Sequence, residues 1–499
     1  MANSGNALSS LASVVSGNVD TTDGSSELSI FDVTHDSRQT GEGTLFVAIR
    51  GMAVDGHLFV PEAVGRGVTA VCVDHRLETE VPQIIVEDTR MALGPLAAAV
   101  HDDPSRDMIV VGVTGTNGKT TVTHYVESLA SSAGVPTGLI GTIHTRIGNV
   151  TLDAVHTTPE ASDFQRLLAR MRDSGSKLVA TEVSSHALEL GRVKATHFAV
   201  AAFTNLSQDH LDFHGDMDRY LSAKRRLFDE HDVATAVINI DDPGGVLIAE
   251  SFKGKLLTVG LSGQCRHSDV RTTVEGTTFT LDTPWGSAAL RVPVIGRFNL
   301  DNALLAVACS LAAGVSFDDV ASGLPDLAGV PGRYEIVSGE DPITVIVDYA
   351  HTPEGIAEAI VAARELGGKR VVAVVGAGGD RDRDKRPLMG EAASSADLVV
   401  ITSDNPRSEQ PEAVVASIVA GLDSSSVSLI EIDRRTAIRR AVADAADGDI
   451  VLVLGRGHEP MQDIGGNRVP FDDRQVAREA LRLVRSSADL DTNSGSMDT

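Results

Sequence analysis

The chain is predicted to be an α/β protein with three domains in series. Three observations predict this fold: its length of 499 residues, aliphatic strand-like runs that alternate with helical stretches, and polar loops after those runs. A length of about 150 residues per domain favours about three domains. The content of 42% hydrophobic but only 4% aromatic residues indicates aliphatic cores. Alternating strands and helices indicate parallel, doubly wound sheets, which bind ligands at the carboxyl ends of their strands.

The strand and helix pattern divides the chain into an N-terminal, a central and a C-terminal domain and a tail, with boundaries at residues 1–106, 107–331, 332–485 and 486–499. Short strands such as 45–49 alternate with alanine-rich helices in the first domain. The central domain carries a β-type insertion at 265–294 and a helix from Asn302. The tail is rich in Ser, Asp and Asn and poor in apolar residues, a composition typical of disorder.

Charge and hydropathy exclude several functions. The formal net charge of −26 argues against nucleic acid as a partner, because phosphate backbones would be repelled. The sequence has no run of 18 apolar residues, and its N-terminus has no signal-peptide pattern. We therefore expect a cytoplasmic protein without membrane insertion.

The most informative motif is Thr114-Gly-Thr-Asn-Gly-Lys-Thr-Thr121, which follows the apolar strand 108–113. Its glycines allow backbone N–H groups to approach an anion, while Lys119 adds a positive charge and Thr120 a hydroxyl ligand for magnesium. Val113 occupies a position where the standard P-loop has glycine. The motif predicts a P-loop-type nucleoside-triphosphate site on the central domain; a glycine-rich turn without a ligand is the alternative.

Other polar residues of the central domain have more than one interpretation. Glu182 ends the strand 177–183, where a carboxylate could hold Mg²⁺ beside a triphosphate. The stretch 209–214 contains His210 among carboxylates and a second histidine, so a zinc site is an alternative to magnesium. Lys224 lies on an amphipathic helix, and by itself it is typical of a solvated surface lysine.

The C-terminal domain is predicted to be Rossmann-like and doubly wound. Three charged loops, 378–387, 404–407 and 455–459, follow three of its strands and should meet at one edge of the sheet. Arginine can bind a carboxylate with two hydrogen bonds, and a nearby Asp or Glu can bind an ammonium group. The loops therefore predict an amino-acid pocket, with a solvated charge run as the alternative.

Together these motifs resemble those of the Mur ligases, which build the peptidoglycan stem peptide. The resemblance extends from about Asp36 to Glu459 and includes the glycine-rich motif and the segments 157–159, 182–186, 204–215, 296–302 and 348–353. The loop Asp404-Asn-Pro-Arg407 is similar to that of family members which add meso-diaminopimelate. The second carboxylate of that substrate suits Arg407, whereas the ammonium of L-lysine would meet a like charge. Arg456 and Ala377 depart from the family pattern, which usually has lysine and often cysteine there.

The resemblance implies a role for each matching residue. The residues implied in ATP binding are Gly115, Thr116, Asn117, Gly118, Lys119, Thr120, Thr121, Asn302, Arg333, Asp348 and His351. Contacts to the UDP-muramoyl-dipeptide are implied for Ser37, Thr157, Thr158, Ser184 and Arg192. The implied diaminopimelate pocket consists of Arg381, Asp404, Asn405, Arg407, Gly455 and Glu459.

The same resemblance implies two Mg²⁺ ions, one on Thr120 and Glu182 and a second on His210 and Lys224. Lys224 would be carbamylated by CO₂, which turns a cation into the oxygen ligand that magnesium prefers. Lys119, Glu182, His210 and Lys224 would be the catalytic residues.

The implied activity is ATP-dependent amide formation through an acyl phosphate, joining meso-diaminopimelate to UDP-N-acetylmuramoyl-L-Ala-D-Glu in a monomeric enzyme. Because the ATP-binding residues come from two domains, those domains are expected to close around ATP. Three alternatives stay open: the same ligase using L-lysine, a ligase similar to folylpolyglutamate synthase, and an ATP-binding scaffold without catalysis.

Overall fold

The computed structural model describes residues 5–21, 28–51, 54–339, 341–426 and 428–494. Three larger sheets of five, eight and six strands follow one another along the chain. The predicted α/β class with mostly parallel sheets is confirmed. Within the described ranges, no helix has both the length and the apolar character needed to cross a membrane.

The N-terminal sheet has the strand order β2-β7-β6-β5-β4, with β4 to β7 parallel and β2 antiparallel at one edge. The strands of this domain are β1 (Asn6–Ala7), β2 (Asn18–Asp20), β3 (Ser29–Ile30), β4 (Asp32–Thr34), β5 (Thr44–Val47), β6 (Ala70–Val73) and β7 (Gln83–Ile85). Its α-helices are α1 (Leu8–Val14), α2 (Val60–Gly65) and α3 (Thr89–Val100). Strands β1 and β3 form a separate antiparallel pair.

The central domain contains an eight-stranded sheet and a three-stranded antiparallel insertion. Its strands are β8 (Ile109–Thr114), β9 (Thr137–Ile140), β10 (His144–Ile147), β11 (Val150–Asp153), β12 (Leu178–Glu182), β13 (His197–Phe203), β14 (Asp232–Asn239), β15 (Lys255–Val259), β16 (Arg266–Thr273), β17 (Gly276–Thr283) and β18 (Gly286–Val292). Its α-helices are α4 (Lys119–Ser132), α5 (Ala161–Asp173), α6 (Ser185–Glu189), α7 (Leu211–His214), α8 (Met217–Asp229), α9 (Pro243–Ser251), α10 (Arg297–Ala312) and α11 (Phe317–Gly323). Helix α10 begins earlier than the expected start at Asn302.

The register of the central sheet positions the candidate site. The order is β11-β10-β9-β12-β8-β13-β14-β15, and β8 lies between the parallel strands β12 and β13. Glu182 pairs with Val113, and Phe203 pairs with Thr114. The glycine-rich loop after β8 is therefore flanked by the carboxyl ends of both neighbouring strands.

The C-terminal sheet has the order β19-β20-β24-β21-β22-β23 and is parallel except for β19. Its strands, with those of a separate hairpin, are β19 (Glu335–Ile336), β20 (Thr344–Asp348), β21 (Val371–Val375), β22 (Leu398–Ile401), β23 (Ser428–Ile430), β24 (Ile450–Leu454), β25 (Met461–Ile464) and β26 (Asn467–Pro470). Its α-helices are α12 (Pro353–Glu365), α13 (Lys385–Ala393), α14 (Pro411–Val419), α15 (Arg434–Ala443) and α16 (Asp473–Ser494). The loops predicted to form the amino-acid pocket follow β21, β22 and β24.

The last helix differs from the sequence expectation for the tail. Helix α16 continues to Ser494, so residues 486–494 are helical where the composition predicts disorder. The helix buries Val476, Ala477 and Leu481 against the sheet, and its later turns extend that anchored segment. Residues 495–499 of the tail lie outside the described residues.

A buried ion pair fixes the strand ends that carry the C-terminal loops. Arg434 and Asp473, the first residues of α15 and α16, have fully buried side chains and form two hydrogen bonds of 2.8 and 2.6 Å. Arg434 also donates to the carbonyl of Leu454 at 2.9 Å and to that of Ser403 at 3.4 Å. One guanidinium therefore holds the ends of β22 and β24 beside each other.

We predict that Asp473→Ala destabilises the C-terminal domain by about 3–5 kcal/mol, because it leaves the Arg434 guanidinium buried without its counter-charge. Hydrogen exchange of the amides in α15 and β24 measures this loss.

Glu479→Ala is the matched control, since its carboxylate pairs with Arg435 and Arg439 at the exposed surface of the same helix pair. Its cost should stay below about 1 kcal/mol. Equal effects of the two substitutions would contradict the proposed importance of the buried pair.

Candidate active site

The loop between β8 and α4 requires its glycines. Gly115 has φ 148° and Gly118 has φ 85°, both in the region that favours glycine. A Cβ atom would lie 1.7 Å from the Thr204 hydroxyl at Gly115, and 2.2 Å from the Asn302 amide oxygen at Gly118. Close packing of neighbouring side chains against the loop therefore excludes a larger residue at either position. Asn302 thus lies directly beside the loop.

Lys119 opens α4 and bends back over the loop. Its Nζ donates to the carbonyls of Gly115 at 2.9 Å and Thr116 at 2.8 Å. Burial lowers the pKa of Lys119, while the carboxylates of Glu182 and Asp209 oppose that shift. The ammonium is thus close to the backbone that is predicted to hold phosphate.

Thr120 and Glu182 bring oxygen ligands together at the start of α4. The Thr120 hydroxyl donates to Glu182 Oε2 at 3.0 Å, and the Thr142 N–H donates to Glu182 Oε1 at 2.7 Å. Arg333 of the C-terminal domain donates to the Thr120 hydroxyl at 3.0 Å. Glu182 is only 1% exposed. The donor set consists of a hydroxyl and a carboxylate, which suits Mg²⁺.

Lys224 is buried, which corrects the alternative of a solvated surface lysine. Its Nζ donates to the Gly115 carbonyl at 2.7 Å and lies 4.1 Å from the centroid of the Tyr220 ring. Burial, reinforced by the charge of Lys119, holds the pKa of Lys224 well below the usual lysine range. This shift favours the neutral amine, which is the form that reacts with CO₂.

His210 immediately precedes α7 and has φ 55°. Burial lowers the pKa of His210 to about 3, although the neighbouring Asp209 carboxylate acts in the opposite direction. The imidazole is therefore neutral at physiological pH and can act as a metal ligand. In the same stretch, Asp212 is exposed and His214 is bonded to the Ser185 hydroxyl, so the structure gives no support to a zinc centre there.

Asp209, which is not among the predicted site residues, makes more contacts between domains than its neighbour His210. Its carboxylate accepts from Lys385 Nζ at 2.8 Å and lies 3.4 Å from His351 Nε2 and 3.4 Å from His210 Nε2. Burial alone would raise the pKa of Asp209, but His351 and Lys385 hold it well below the usual range. The sequence pointed to Asp209 only through its place in the charged stretch 209–214. Its partners are far away in the chain and leave no local pattern that would identify them.

Further contacts join the C-terminal domain to the glycine-rich loop. The Asn117 amide donates to the Thr352 hydroxyl at 3.3 Å, and the Gln208 amide donates to Asp382 at 3.4 Å. Asp348 accepts from the N–H groups of Tyr334 and Ala350, so its carboxylate shapes the segment that carries Arg333. Burial raises the pKa of Asp348.

Asn405 is the centre of the C-terminal loop cluster. Its Nδ2 donates to Glu459 Oε2 at 2.7 Å, and its Oδ1 accepts from the buried Arg456 at 2.6 Å. Burial and the nearby Asp404 raise the pKa of Glu459. A Cβ at Gly455 would lie 2.6 Å from the Asp404 carboxylate, so glycine is needed there. Arg456, a departure from the family pattern, thus has a structural role in fixing Asn405.

Two arginines point their guanidinium groups toward the same space. Arg407 donates to the Gly379 carbonyl at 2.5 Å, and Arg381 donates to the Asp380 carbonyl at 3.1 Å. Within the described part of the chain, neither arginine forms an ion pair with a carboxylate. Both can therefore bind an incoming anion.

These groups line one cavity of about 610 Å³ between the central and C-terminal domains. The predicted site residues that line it are Thr116, Asn117, Gly118, Lys119, Thr120, Thr121, Thr157, Glu182, Ser184, His210, Asn302, Arg333, Asp348, His351, Arg381, Asp404, Asn405, Arg407, Gly455 and Glu459.

Other predicted residues lie outside the lining of the cavity. Gly115 and Lys224 contact each other beneath the loop. Thr158 is buried behind Glu182, where it donates to the Glu182 carbonyl at 2.8 Å, and Arg192 donates to the Thr158 carbonyl at 3.1 Å. Ser37 belongs to the N-terminal domain, and its hydroxyl donates to Glu62.

Three family models match the chain. They are the Mur ligase middle domain over residues 113–310, the Mur ligase glutamate ligase domain over 332–457, and the Mur ligase family catalytic domain over 30–101.

Similar proteins match nearly the whole chain. UDP-N-acetylmuramoyl-L-alanyl-D-glutamate--2,6-diaminopimelate ligases from Gloeobacter violaceus and Geobacillus kaustophilus are 45% and 43% identical to it. The matches cover 92% and 90% of this chain, and 95% and 94% of those proteins.

Solved structures give the same result. A structure of a ligase with that name matches with a TM-score of 0.70 and 31% identity, and it covers 96% of this chain and 99% of its own. A folylpolyglutamate synthase from Mycobacterium tuberculosis has a TM-score of 0.59 at 20% identity, covers 74% of this chain and 92% of its own, and shares the fold alone. The motifs, the cavity geometry and these similarities show that the chain belongs to the Mur ligase family.

Proposed function

We propose that this chain is an ATP-dependent ligase that adds meso-2,6-diaminopimelate to UDP-N-acetylmuramoyl-L-alanyl-D-glutamate. The observation that carries the proposal is the single cavity in which the Gly115–Thr121 loop is joined to the Arg381 and Arg407 guanidinium groups. The names of the relatives with 43–45% identity support the same substrates.

The proposed reaction has two steps. The γ-carboxylate of the D-glutamyl residue attacks the γ-phosphorus of ATP, ADP leaves, and an acyl phosphate forms. The amine of diaminopimelate then attacks the acyl carbon, loses a proton, and expels inorganic phosphate from a tetrahedral intermediate. An amide bond replaces one anhydride bond of ATP, so the atoms and charges balance.

The residues around the loop mainly neutralise the negative charge of the substrates. A carboxylate approaching a triphosphate is repelled, and Lys119, Arg333 and the loop N–H groups offset that repulsion. Asp209 positions His210 and His351 rather than touching the reacting atoms. Holding both reactants in one cavity would contribute several kcal/mol of the ~7–11 kcal/mol that proximity can supply.

The donor set of Thr120 and Glu182 fits one magnesium ion, and a second is proposed at His210 and a carbamylated Lys224. Thr120 and Glu182 offer oxygen ligands for one; the neutral His210 and a carbamate on Lys224 would hold the second. When bound, Mg²⁺ would neutralise charge on the phosphoryl group that is transferred. A carbamate supplies the oxygen that an amine lacks, which gives the buried Lys224 a chemical purpose.

The C-terminal loops suit a substrate with carboxylates and ammonium groups at both ends. Arg407, which has no carboxylate partner among the described residues, would bind the far carboxylate, while Glu459 and Asp404 would face an ammonium group. L-lysine has no carboxylate at that end, and its ammonium would lie beside Arg407. The expected cytoplasmic location and monomeric state stay predictions.

The proposal is tested by phosphate release from ATP with the purified chain, Mg²⁺ and UDP-N-acetylmuramoyl-L-Ala-D-Glu. Release should require the muramoyl substrate and be strong with meso-diaminopimelate but weak with L-lysine. In Arg407→Ala the KM for diaminopimelate should rise about tenfold or more, because a hydrogen bond to a charged group contributes about 1.5–3 kcal/mol.

Arg383→Ala is the control for that substitution, because Arg383 lies in the same loop region but pairs with Glu409 at the surface. Its KM should stay within about twofold of the unchanged chain, as exposed pairs contribute little. Equal release with L-lysine would overturn the assignment of Arg407, and release without the muramoyl substrate would indicate a plain ATPase.

Lys224 should take up ¹³CO₂ as a carbamate already near neutral pH. Because burial and the charge of Lys119 lower its pKa, its amine loses its proton at a lower pH than an exposed lysine does, and its carbamate signal should rise less steeply between about pH 7 and pH 9. An exposed lysine becomes neutral only near pH ~10.4, so its signal would rise steeply over that range. ¹³C NMR in labelled bicarbonate measures the difference.

Lys224→Ala should lose this signal and reduce phosphate release about 100-fold or more, the scale for one preorganised group at the reacting charge. Lys253→Ala, at an exposed position of the same domain, should keep both. A Lys224→Ala variant that retains the ¹³C signal would contradict the assignment.

A further inference from the structure

A second group of metal-binding side chains lies in the N-terminal domain. His57 is in the short 3-10 turn Gly56–Phe59, and Asp74 and His75 directly follow β6. Of the His, Cys, Asp and Glu side chains in the described ranges, these three form the one group whose ligand atoms all lie within 4.8 Å of one another. None of them lines the cavity between the other two domains. The group is therefore separate from the proposed ligase site.

The two imidazole nitrogens both lie close to one carboxylate oxygen, Asp74 Oδ1. His57 Nε2 lies 3.3 Å and His75 Nδ1 2.5 Å from Asp74 Oδ1. The two imidazole rings are 4.9 Å apart between centroids, at an interplanar angle of 30°. The side chain of His57 is 6% exposed, that of Asp74 is 16% exposed and that of His75 is 53% exposed. The group is thus buried on one side and open to solvent on the other.

Neighbouring residues hold His57 in the form that a metal requires. His57 Nδ1 lies 2.6 Å from Asp55 Oδ1, an acceptor, which places the ring proton on Nδ1 and leaves a lone pair on Nε2. His57 Nε2 accepts a hydrogen bond from the Asp74 N–H at 3.2 Å and lies 3.3 Å from Asp74 Oδ1, so a metal ion bound there would replace this long hydrogen bond. Histidines that bind a metal through one ring nitrogen usually donate a hydrogen bond from the other nitrogen to a carboxylate, which orients the ring.

Arg50 supports Asp74 from the opposite side. Its Nε donates to Asp74 Oδ2 at 2.6 Å, and its Nη2 lies 3.2 Å from Oδ1. These bonds hold the pKa of Asp74 well below its usual range, so the carboxylate is charged at neutral pH. The shorter bond is to Oδ2, and Oδ1, which accepts the longer bond from Arg50 Nη2, also faces the two imidazoles.

We propose that His57 Nε2, His75 Nδ1 and Asp74 Oδ1 bind a divalent transition-metal ion of the Zn²⁺ type. Two imidazoles and one carboxylate are typical of such ions, whereas Mg²⁺ prefers oxygen ligands alone. The open side at His75 leaves room for water as a further ligand. The competing explanation is a hydrogen-bonded cluster in which a protonated histidine pairs with Asp74.

The test is Zn²⁺ binding to the full chain by equilibrium dialysis, with excess Mg²⁺ to compete at the ligase site. The unchanged chain should bind one more Zn²⁺ than His75→Ala, whose exposed side chain can be removed without affecting the core. Co²⁺ should show the intense visible absorption of a four-coordinate site in the unchanged chain, and that band should be absent from His75→Ala. His156→Ala, which removes an exposed histidine of the central domain, should bind as the unchanged chain does.

Asp55→Asn keeps all three ligands and should weaken Zn²⁺ binding about 10–100-fold, the usual effect of losing an outer carboxylate. Equal Zn²⁺ stoichiometry in the unchanged chain and His75→Ala would overturn the proposal, as would a Co²⁺ band that survives the substitution. These results do not depend on ligase activity, so failure here leaves the proposed function untouched.

Discussion

The ion pair between Asp209 and Lys385 connects the two halves of the active site. Asp209 follows a strand of the central sheet, Lys385 begins a helix of the C-terminal domain, and their charged atoms lie 2.8 Å apart in a buried position. The same carboxylate faces His210 and His351. Separating the domains would leave these two buried charges unpaired, which costs free energy. Contact between the domains is therefore coupled to completion of the site. Arg333, which reaches Thr120 from the C-terminal domain, adds to that coupling.

Two sheet edges meet across this contact, and each provides a different kind of chemistry. The edge of the central sheet provides N–H groups, an ammonium and oxygen ligands, which are the groups that a polyphosphate and its metal ions need. The edge of the C-terminal sheet provides Arg381 and Arg407 beside the carboxylate of Glu459, which are the groups that an amino acid needs. Within a chain of net charge −26, such local basic sites are required if anionic substrates are to bind. The buried Arg434 keeps the second edge in place.

The sequence predicted the fold class and about half of the lining of the cavity, partly from local signals and partly from the resemblance to the Mur ligases. A glycine-rich turn after an apolar strand and polar loops after later strands identify one sheet edge without knowledge of distant contacts. The pairing of Asp209 with Lys385 could not be predicted in this way, since it joins residues far apart in the chain. The burial of Lys224 could not be predicted either. A lysine at the boundary between the polar and apolar faces of an amphipathic helix can lie in solvent or against a neighbouring loop.

The most direct test of this account is a double-mutant cycle of Asp209→Asn and Lys385→Gln, measured on kcat/KM for ATP in the complete ligase assay. If contact between the domains completes the site, the two losses should be non-additive, with a coupling energy of about 0.5–3 kcal/mol. Lys369→Gln, an exposed lysine of the same domain, should show no coupling to Asp209→Asn. Losses that add within about 0.5 kcal/mol for Lys385→Gln as well would contradict the claim that this ion pair joins the two halves of the site.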